Sequence, residues 1–284
     1  MNITFWGVRG SIPTPGPECT GVGGNTPCVQ VGCDDGTRVI LDAGSGIRGL
    51  GTALEPGGGP LHILLTHLHL DHIQGLLFFA PFFDDEAEIT VWGPPGGGRT
   101  LRERLARYLS SPLSPVEIRE LPAQVSFRDV PPDPWRLGDC ELSAALVAHR
   151  GPTLGYRIEA GGCALCYLPD HEPGLGVDMS ATPGEWISGF GLAQDADLLI
   201  HDCQYFDDEY REHVGWGHSR LADVHEFAVH AGAERTLLFH HDPGHDDAAL
   251  DGMSREATQL WSANGNGGEV AVACEGDELR LASS

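Results

Sequence analysis

An apolar, strand-like segment runs directly into a dense group of histidines, and this junction constrains the fold more than any other part of the sequence. Residues 61–66 read Leu-His-Ile-Leu-Leu-Thr, and the next six read His-Leu-His-Leu-Asp-His. In an extended segment alternate side chains point the same way, so His67, His69 and Asp71 fall on one side, which a helix would not allow. His72 follows at the turn out of the strand. The pattern predicts a metal centre at the end of a buried strand.

Three later residues extend this predicted centre. Two metal ions about 3.5–4 Å apart need roughly seven ligands, one of them bridging, and the cluster supplies four. His149, Asp170 and His240 each stand where an apolar strand-like run ends, a place where sites gather in layered α/β folds. A carboxylate is the side chain best able to bridge two cations. Taken singly, each of the three is equally compatible with an ordinary polar residue.

Short apolar runs and amphipathic segments alternate along the chain. Strands are predicted at residues 2–8, 28–32, 37–42, 61–66, 88–92, 140–148, 153–159, 162–168, 197–201, 235–240, 269–273 and 277–281, and helices at 98–110, 219–232 and 246–263. Many strands with few helices favour an α/β sandwich, two sheets covered by helices. The Pro-rich segment 131–134 is the best linker candidate, but strands continue beyond it. We therefore expect a single domain over residues 1–284.

The charge balance limits the partners of the chain. It has 17 Lys and Arg against 41 Asp and Glu, a net charge of −24, and every basic residue is Arg. Long nucleic acids require clustered basic side chains, so they are disfavoured, although a few Arg can serve one small anionic substrate. No apolar run approaches the roughly 20 residues that span a bilayer, and the first residues do not read as a signal peptide. We expect a cytoplasmic protein without membrane segments.

The cysteines are too sparse for a disulfide scaffold. Eight Cys occur in 284 residues, and in the expected compartment they remain reduced. Cys163 and Cys166 have the Cys-x-x-Cys spacing of redox and zinc sites. They lie inside an apolar strand without a second pair, which favours buried core.

The order of the candidate ligands resembles the metallo-β-lactamase superfamily of dinuclear hydrolases. The resemblance covers nearly the whole chain and implies an αββα four-layer sandwich. It implies two divalent metal ions, with Zn²⁺ favoured by the histidine-rich set and Mn²⁺ and Fe²⁺ left open. The implied ligands are His67, His69 and His149 for one ion, Asp71, His72 and His240 for the other, and Asp170 as the bridge. Asp42, in a strand-end Asp-x-Gly, is implied to orient a ligand histidine.

Three segments are similar to the tRNase Z-like phosphodiesterases within that superfamily. They are residues 5–11 (FWGVRGS), 23–26 (GGNT) and 149–157 (HRGPTLGYR). Residues 201–204 (HDCQ) and 217–219 (GHS) resemble the segments that supply an acid and a histidine to protonate the leaving oxygen. The resemblance thus implies Asp202 and His218 as catalytic residues beside Asp71. Asp202 stands where the family has a longer Glu. His218 also fits a polar residue flanking the N-cap of the helix predicted at 219–232, for which we expect Ser219.

The expected substrate is a small phosphodiester. True tRNase Z enzymes carry a Gly- and Lys-rich arm that grips tRNA, whereas residues 94–130 hold six Arg, no Lys and a compact predicted helix. The FWGVRGS opening resembles bacterial enzymes that open 3′,5′-cyclic nucleotides. For substrate binding, Arg9 or Arg150 can hold phosphate oxygens, or simply be solvated. Phe79, Phe82 or Trp216 can stack on a base, or serve packing.

Other functions use the same residues. A phosphodiesterase for cyclic ribose phosphates or an RNA 3′-end nuclease of the tRNase Z type would need identical metal chemistry. A non-catalytic sensor that binds a nucleotide is an alternative of another class. The complete set of seven ligands argues against a loss of catalytic activity, because an inactive member would most simply lack a ligand. The resemblance also brings the expectation of a homodimer. Fold alone does not fix a substrate.

Overall fold

The structure is a computed structural model that describes residues 1–55, 57–264 and 268–282. Its strands are β1 (Asn2–Gly7), β2 (Cys28–Gly32), β3 (Arg38–Leu41), β4 (Leu61–Leu64), β5 (Glu88–Gly93), β6 (Gln124–Asp129), β7 (Trp135–Leu137), β8 (Cys140–Leu146), β9 (Leu154–Ala160), β10 (Cys163–Leu168), β11 (Leu198–Asp202), β12 (Arg235–Phe239), β13 (Glu269–Val272) and β14 (Glu278–Arg280). Its α-helices are α1 (Ile47–Ala53), α2 (Leu70–Ile73), α3 (Leu101–Leu105), α4 (Phe190–Ala193), α5 (Leu221–Ala231) and α6 (Asp247–Asn264).

The strands form two mixed sheets of similar design. The first has the order β14-β1-β2-β3-β4-β5-β6, and the second has the order β13-β12-β11-β10-β9-β8-β7. Strands β3 to β6 run parallel, as do β10 to β13, whereas the remaining neighbours are antiparallel. The carboxyl ends of parallel strands meet at one edge of a sheet, so β4, β10 and β12 can deliver side chains to one place.

Side-chain alternation along the strands builds the layers. On β3 and β4, Leu41 and Leu64 belong to the large core cluster shared with the second sheet, whereas Ile40 and Ile63 belong to the cluster under α1 and α3. Helices α5 and α6 cover the far face of the second sheet, and their buried residues join the large cluster. The predicted αββα sandwich is confirmed.

Every predicted strand is present within two residues at each end, but several elements were missed. Strand β6 is a largely exposed edge strand with only two apolar residues, Val125 and Phe127, and β7 has only three residues. Helix α1 contains Gly49 and Gly51, which lower helix propensity. Gly51 is needed because a Cβ there would lie 2.8 Å from the ring of Phe79. The predicted helix at 98–110 is shortened to α3, which begins after the N-cap Thr100.

The two sheets are joined by a short connecting segment and also by a disulfide that the sequence did not predict. Residues 130–134 connect β6 of the first sheet to β7 of the second, which agrees with the predicted linker position. Cys33, which follows β2 of the first sheet, forms a disulfide with Cys140, the first residue of β8 in the second sheet. The expectation that all cysteines are reduced is therefore wrong at this pair. Cys163 and Cys166 are free and buried. Because they lie three residues apart on β10, their side chains point to opposite faces, as expected for core.

The described part of the chain contains no helix long and apolar enough to cross a bilayer.

Candidate metal centre

The histidine cluster follows the carboxyl end of β4, but not as an extended strand. The strand stops at Leu64 because the N–H of Thr66 donates to the Asp42 side chain, at 2.8 Å, instead of to a neighbouring strand. His67 and His69 lie in the loop, and Asp71 lies on α2. The expected grouping of Asp71 with His67 and His69 by alternation is therefore wrong.

The second sheet brings three more side chains to this place. His149 lies three residues beyond β8, Asp170 two residues beyond β10, and His240 directly after β12. His240 has a φ of 60°, an uncommon backbone conformation for a residue with a side chain. Asp170 and His240 are buried. The predicted strand-end positions are therefore observed.

The seven predicted ligands converge on one centre. Their ligand atoms form groups within 4.8 Å of one another, among them the sets His67, His69, His149 and Asp71, His72, His240. Asp170 lies between the sets: its Oδ2 is 3.0 Å from His72 Nε2, and its Oδ1 is 3.6 Å from His149 Nε2 and 3.5 Å from His240 Nε2. Asp71 also accepts the N–H of Ser11 at 2.8 Å.

Asp42 holds the far side of His72. Its Oδ2 lies 2.8 Å from His72 Nδ1 and accepts the Tyr167 hydroxyl at 3.0 Å, and its Oδ1 accepts Thr66 N–H. All of these groups are buried. The bond to Asp42 fixes the ring and tautomer of His72, leaving Nε2 to face Asp170. This contact agrees with the orienting position implied for Asp42.

Two other rings are held in the same way. His149 Nδ1 donates to the carbonyl oxygen of Gly217 at 2.8 Å, and His240 Nδ1 lies 3.3 Å from Gln204 Oε1. Gln204 in turn donates to Asp242 at 3.0 Å. With Nδ1 engaged outward, each imidazole presents Nε2 to the centre.

The residues present fit divalent cations. His67 Nε2, His72 Nε2 and Asp170 Oδ2 are buried, and none of them makes a well-aligned hydrogen bond to the described residues, although the last two lie 3.0 Å apart. Buried polar atoms without partners are rare, and atoms of this kind facing one point are what a metal site requires. Imidazole and carboxylate donors suit Zn²⁺, Mn²⁺ or Fe²⁺.

The electrostatics favour the metal-binding protonation states of His67, His69 and Asp170, and they make the position of His72 strongly negative. Burial lowers the pKa of His67 and His69. Burial by itself would raise the pKa of Asp170, but His240, His72 and His67 outweigh it and lower that pKa well below its usual range. Burial would likewise lower the pKa of His72, but Asp170, Asp71 and Asp42 raise it. The negative charge of three carboxylates around the His72 imidazole favours a bound cation at this side of the centre.

His218 and Asp202 lie beside the cluster as a hydrogen-bonded pair. His218 Nδ1 donates to Asp202 Oδ2 at 2.6 Å. Asp202 is fully buried and also accepts the backbone N–H groups of Gln204 and Ser219, each at 3.1 Å. The ring of His218 stacks on His240 with centroids 4.9 Å apart. Burial lowers the pKa of His218.

The helix after His218 begins later than predicted. Helix α5 starts at Leu221, so the expected N-cap at Ser219 is wrong. The Ser219 hydroxyl donates instead to the carbonyl oxygen of His171 at 2.6 Å. His218 is therefore placed by its bond to Asp202 and not as a residue flanking the helix cap.

Three of the predicted substrate contacts are placed elsewhere. Arg9 is fully buried, and its guanidinium donates to the carbonyl oxygens of Gly23, Asp242 and His245. It joins loops and is not free to hold a phosphate, so that prediction is wrong. Phe79 and Phe82 are buried in the cluster under α1. They cannot stack on a base.

Arg150 and Trp216 lie next to site residues. Arg150 follows His149, is exposed, and donates from Nε to the carbonyl oxygen of Gly215 at 3.0 Å. Trp216 is 53% exposed and precedes Gly217. Both therefore stay candidates for substrate contact.

Sequence reasoning missed Glu172, Gln204 and Tyr167. Glu172 is buried two residues after Asp170 and accepts three hydrogen bonds. A Glu before a Pro has no pattern that marks it as buried. Gln204 lies in the segment 201–204 and Tyr167 in the strand predicted at 162–168, but only the packing shows that Gln204 touches His240 and that Tyr167 touches Asp42.

Comparison with known proteins places the chain in a family. Residues 37–241 match the Beta-lactamase superfamily domain. The chain belongs to the metallo-β-lactamase superfamily and is a metal-dependent hydrolase.

Two curated relatives show the extent of the similarity. The chain is 25% identical over 325 aligned positions to Ribonuclease Z of Haloferax volcanii, which covers 99% of this chain and 95% of the relative. It is 26% identical over 298 positions to Ribonuclease Z of Geobacillus kaustophilus, covering 92% of this chain and 94% of the relative.

Solved structures share the fold. Human tRNase Z, short form, superimposes with a TM-score of 0.69 at 22% identity and covers 100% of both chains. The metallo-β-lactamase fold protein YhfI from Bacillus subtilis has a TM-score of 0.69 at 18% identity and covers 98% of both. At these identities the likeness concerns the fold.

Proposed function

We propose that this chain is a dinuclear metal-dependent phosphodiesterase whose substrate is a small phosphodiester such as a 3′,5′-cyclic nucleotide. The observation that carries the proposal is the convergence of seven His and Asp ligands beside a buried His218–Asp202 pair. Ligands for two cations next to a proton donor are the parts that phosphodiester hydrolysis needs.

The proposed ligands divide into two sets around Asp170. His67, His69 and His149 would hold one divalent ion, and Asp71, His72 and His240 would hold the other, with Asp170 lying between the two sets. When bound, such ions supply Lewis acidity, neutralise phosphate charge and activate water at neutral pH. The chain itself contributes buried walls and fixed rings, because Asp42, Gly217 and Gln204 hold three of the imidazoles from behind.

His218 is proposed to donate a proton to the leaving oxygen. Its Nδ1 is committed to Asp202, so Nε2 is the nitrogen that can face a substrate. Asp202 holds the ring in one orientation, with Nδ1 bound and Nε2 left for the leaving oxygen. General acid catalysis of this kind contributes about 10²–10⁴ in rate.

The size of the chain supports a small substrate. The alignment with the Haloferax relative has 325 positions, whereas the chain has 284 residues, so at least 41 positions (325 less 284) hold residues of the relative alone. Residues 94–130 form α3 and β6, with Leu101, Leu105 and Ile118 buried. Together with the net charge of −24, this leaves little basic surface for a long polyanion.

RNA 3′-end processing is the second candidate. It is favoured by the curated relatives named Ribonuclease Z, which align with nearly the whole chain. It would use the same ligands and the same His218–Asp202 pair.

A parallel assay tests both candidates. Metal-replete protein is given bis-p-nitrophenyl phosphate, 3′,5′-cyclic AMP, a cyclic ribose phosphate and a precursor tRNA with a 3′ extension, with metal content measured on the same sample. Turnover of a small diester in preference to the tRNA supports the proposal, and preference for the tRNA selects the second candidate. No turnover of any substrate by protein with both metals bound contradicts both and favours a sensor.

A further inference from the structure

Glu172 is a buried carboxylate outside the proposed ligand set. Its side chain has 0% exposure. Its Oε1 accepts the Tyr210 hydroxyl and the backbone N–H of Gly215, and its Oε2 accepts the backbone N–H of Gly217, each at 2.7 Å. Three neutral donors on two oxygens match an ionised carboxylate, which only accepts.

The segment that Glu172 holds leads directly to the site. The carbonyl oxygen of Gly217 accepts from His149 Nδ1 at 2.8 Å, and the next residue is His218. Gly217 has a φ of 94°, and a Cβ there would lie 2.4 Å from His149 Nδ1, so the chain passes very close to that ring. The backbone N–H of Glu172 also donates to the carbonyl oxygen of Ala148 at 2.9 Å, next to His149.

We propose that Glu172 is a positioning residue that sets both His149 and His218 through Gly217. The inference rests on the proposed function in its use of His218 as proton donor. By fixing the N–H of Gly217, the carboxylate fixes the carbonyl that orients the His149 ring. Because His218 directly follows Gly217, the same hydrogen bond also fixes the backbone position of His218.

Glu172→Gln separates this function from simple packing. The amide keeps the shape of the side chain but has one acceptor oxygen in place of two. Either the Gly215 N–H or the Gly217 N–H then faces an amide NH₂, and two donors cannot pair. The variant therefore loosens the segment without opening a cavity.

Two measurements test the proposal. In the first, holoenzyme is dialysed against graded chelator and the retained metal is measured; we expect Glu172→Gln to hold metal about 10–100-fold more weakly, as for loss of a group that orients a ligand. In the second, kcat is measured on bis-p-nitrophenyl phosphate and on 3′,5′-cyclic AMP. The alkoxide leaving group needs a proton more than p-nitrophenolate does, so the loss on cyclic AMP should be about tenfold greater or more.

The variants are matched by controls from the same region. Glu209→Gln changes a carboxylate that accepts Phe206 N–H and pairs with His245, without touching Gly217, and should leave both readouts unchanged. Tyr210→Phe removes one of the three bonds to Glu172 and should give a smaller effect of the same kind. In the double variant Glu172→Gln with His218→Ala, assayed at saturating metal, the loss on cyclic AMP relative to bis-p-nitrophenyl phosphate should not exceed that of His218→Ala alone.

Wild-type metal retention in Glu172→Gln, or a wild-type ratio of the two rates, overturns the proposal. A loss that Glu209→Gln shares in full overturns it as well. If the wild-type protein hydrolyses neither ester, the proposed function fails, whereas the chelator titration still decides on Glu172.

Discussion

His218 Nδ1 lies 2.6 Å from Asp202 Oδ2, and the carboxylate is fully buried. Asp202 is one methylene shorter than the glutamate of the tRNase Z family that the sequence resembles, yet it closes the hydrogen bond. The N–H of Ser219 reaches the same carboxylate at 3.1 Å, which brings the backbone after His218 against Asp202. The shorter acid therefore leaves the pair intact.

Replacing His218 should lower turnover and spare the metals. His218→Ala is expected to reduce kcat by about 10²–10⁴, because the leaving oxygen loses its proton donor, while metal content stays at the wild-type value. Steady-state kinetics and elemental analysis on one preparation measure both. His230→Ala, an exposed histidine of α5, is the control and should change neither. Unchanged turnover in His218→Ala would remove this residue from the reaction.

Asp42 should matter for both stability and metal affinity. Asp42→Ala leaves Thr66 N–H and Tyr167 OH buried without their acceptor, at about 1–3 kcal/mol each. It also frees the His72 ring, which should weaken metal binding by about 10–100-fold. Tyr167→Phe removes one donor and should cost about 1 kcal/mol without weakening metal binding. Denaturant unfolding and metal titration separate the two effects, and equal metal affinity in all three proteins would contradict this account of Asp42.

The Cys33–Cys140 disulfide should stabilise the junction of the sheets. It closes a loop of 107 residues, for which the chain-entropy relation gives about 4–5 kcal/mol. Reduction, or the double variant Cys33→Ser with Cys140→Ser, should lower the free energy of unfolding by up to that amount. Reductant should not lower the stability of the double variant further. A count of eight free thiols in the unfolded, unreduced protein, in place of six, would show that the bond does not form.

Buried His201 should make stability fall in acid. Burial lowers the pKa of His201 to about 4, so the folded state resists the proton that the unfolded chain takes up below about 6.5. The free energy of unfolding should therefore fall as pH drops from about 6.5 to about 4, by an amount on the order of 3 kcal/mol. His201→Asn should reduce the slope of the free energy of unfolding against pH by the equivalent of up to one proton. Loss of metal in acid should affect the wild type and the variant alike. An equal slope in the variant would contradict the assignment.

Much of the site could be predicted because strand ends are visible in the sequence. The apolar runs before His149, Asp170 and His240 fixed where these side chains leave the sheets, and the family order gave their grouping. Alternation alone failed at Asp71, because the Asp42 side chain takes Thr66 N–H and ends β4 two residues early. A local pattern does not reveal a hydrogen bond to a residue 24 positions away.

The errors at Arg9 and Glu172 have a common cause. Charged residues are mostly exposed, so a sequence gives no reason to bury either one. In the structure Arg9 is buried against three backbone carbonyls, and Glu172 against two backbone N–H groups and a hydroxyl. Backbone partners leave no trace in side-chain patterns, which is why both could be found only in the fold.

Metal content measured together with diester hydrolysis, in the wild-type protein and in Asp170→Ala, tests the central claim most directly. Asp170 lies within 3.8 Å of ligand nitrogens from both sets, so its loss should disturb both ions. Asp197→Asn, which changes a carboxylate that accepts Ala164 N–H, is the control. We predict about two metals per chain and diester turnover in the wild type and the control, with metal lost from one or both sites and no turnover in Asp170→Ala. Full occupancy by two metals in Asp170→Ala would contradict the proposed ligand set.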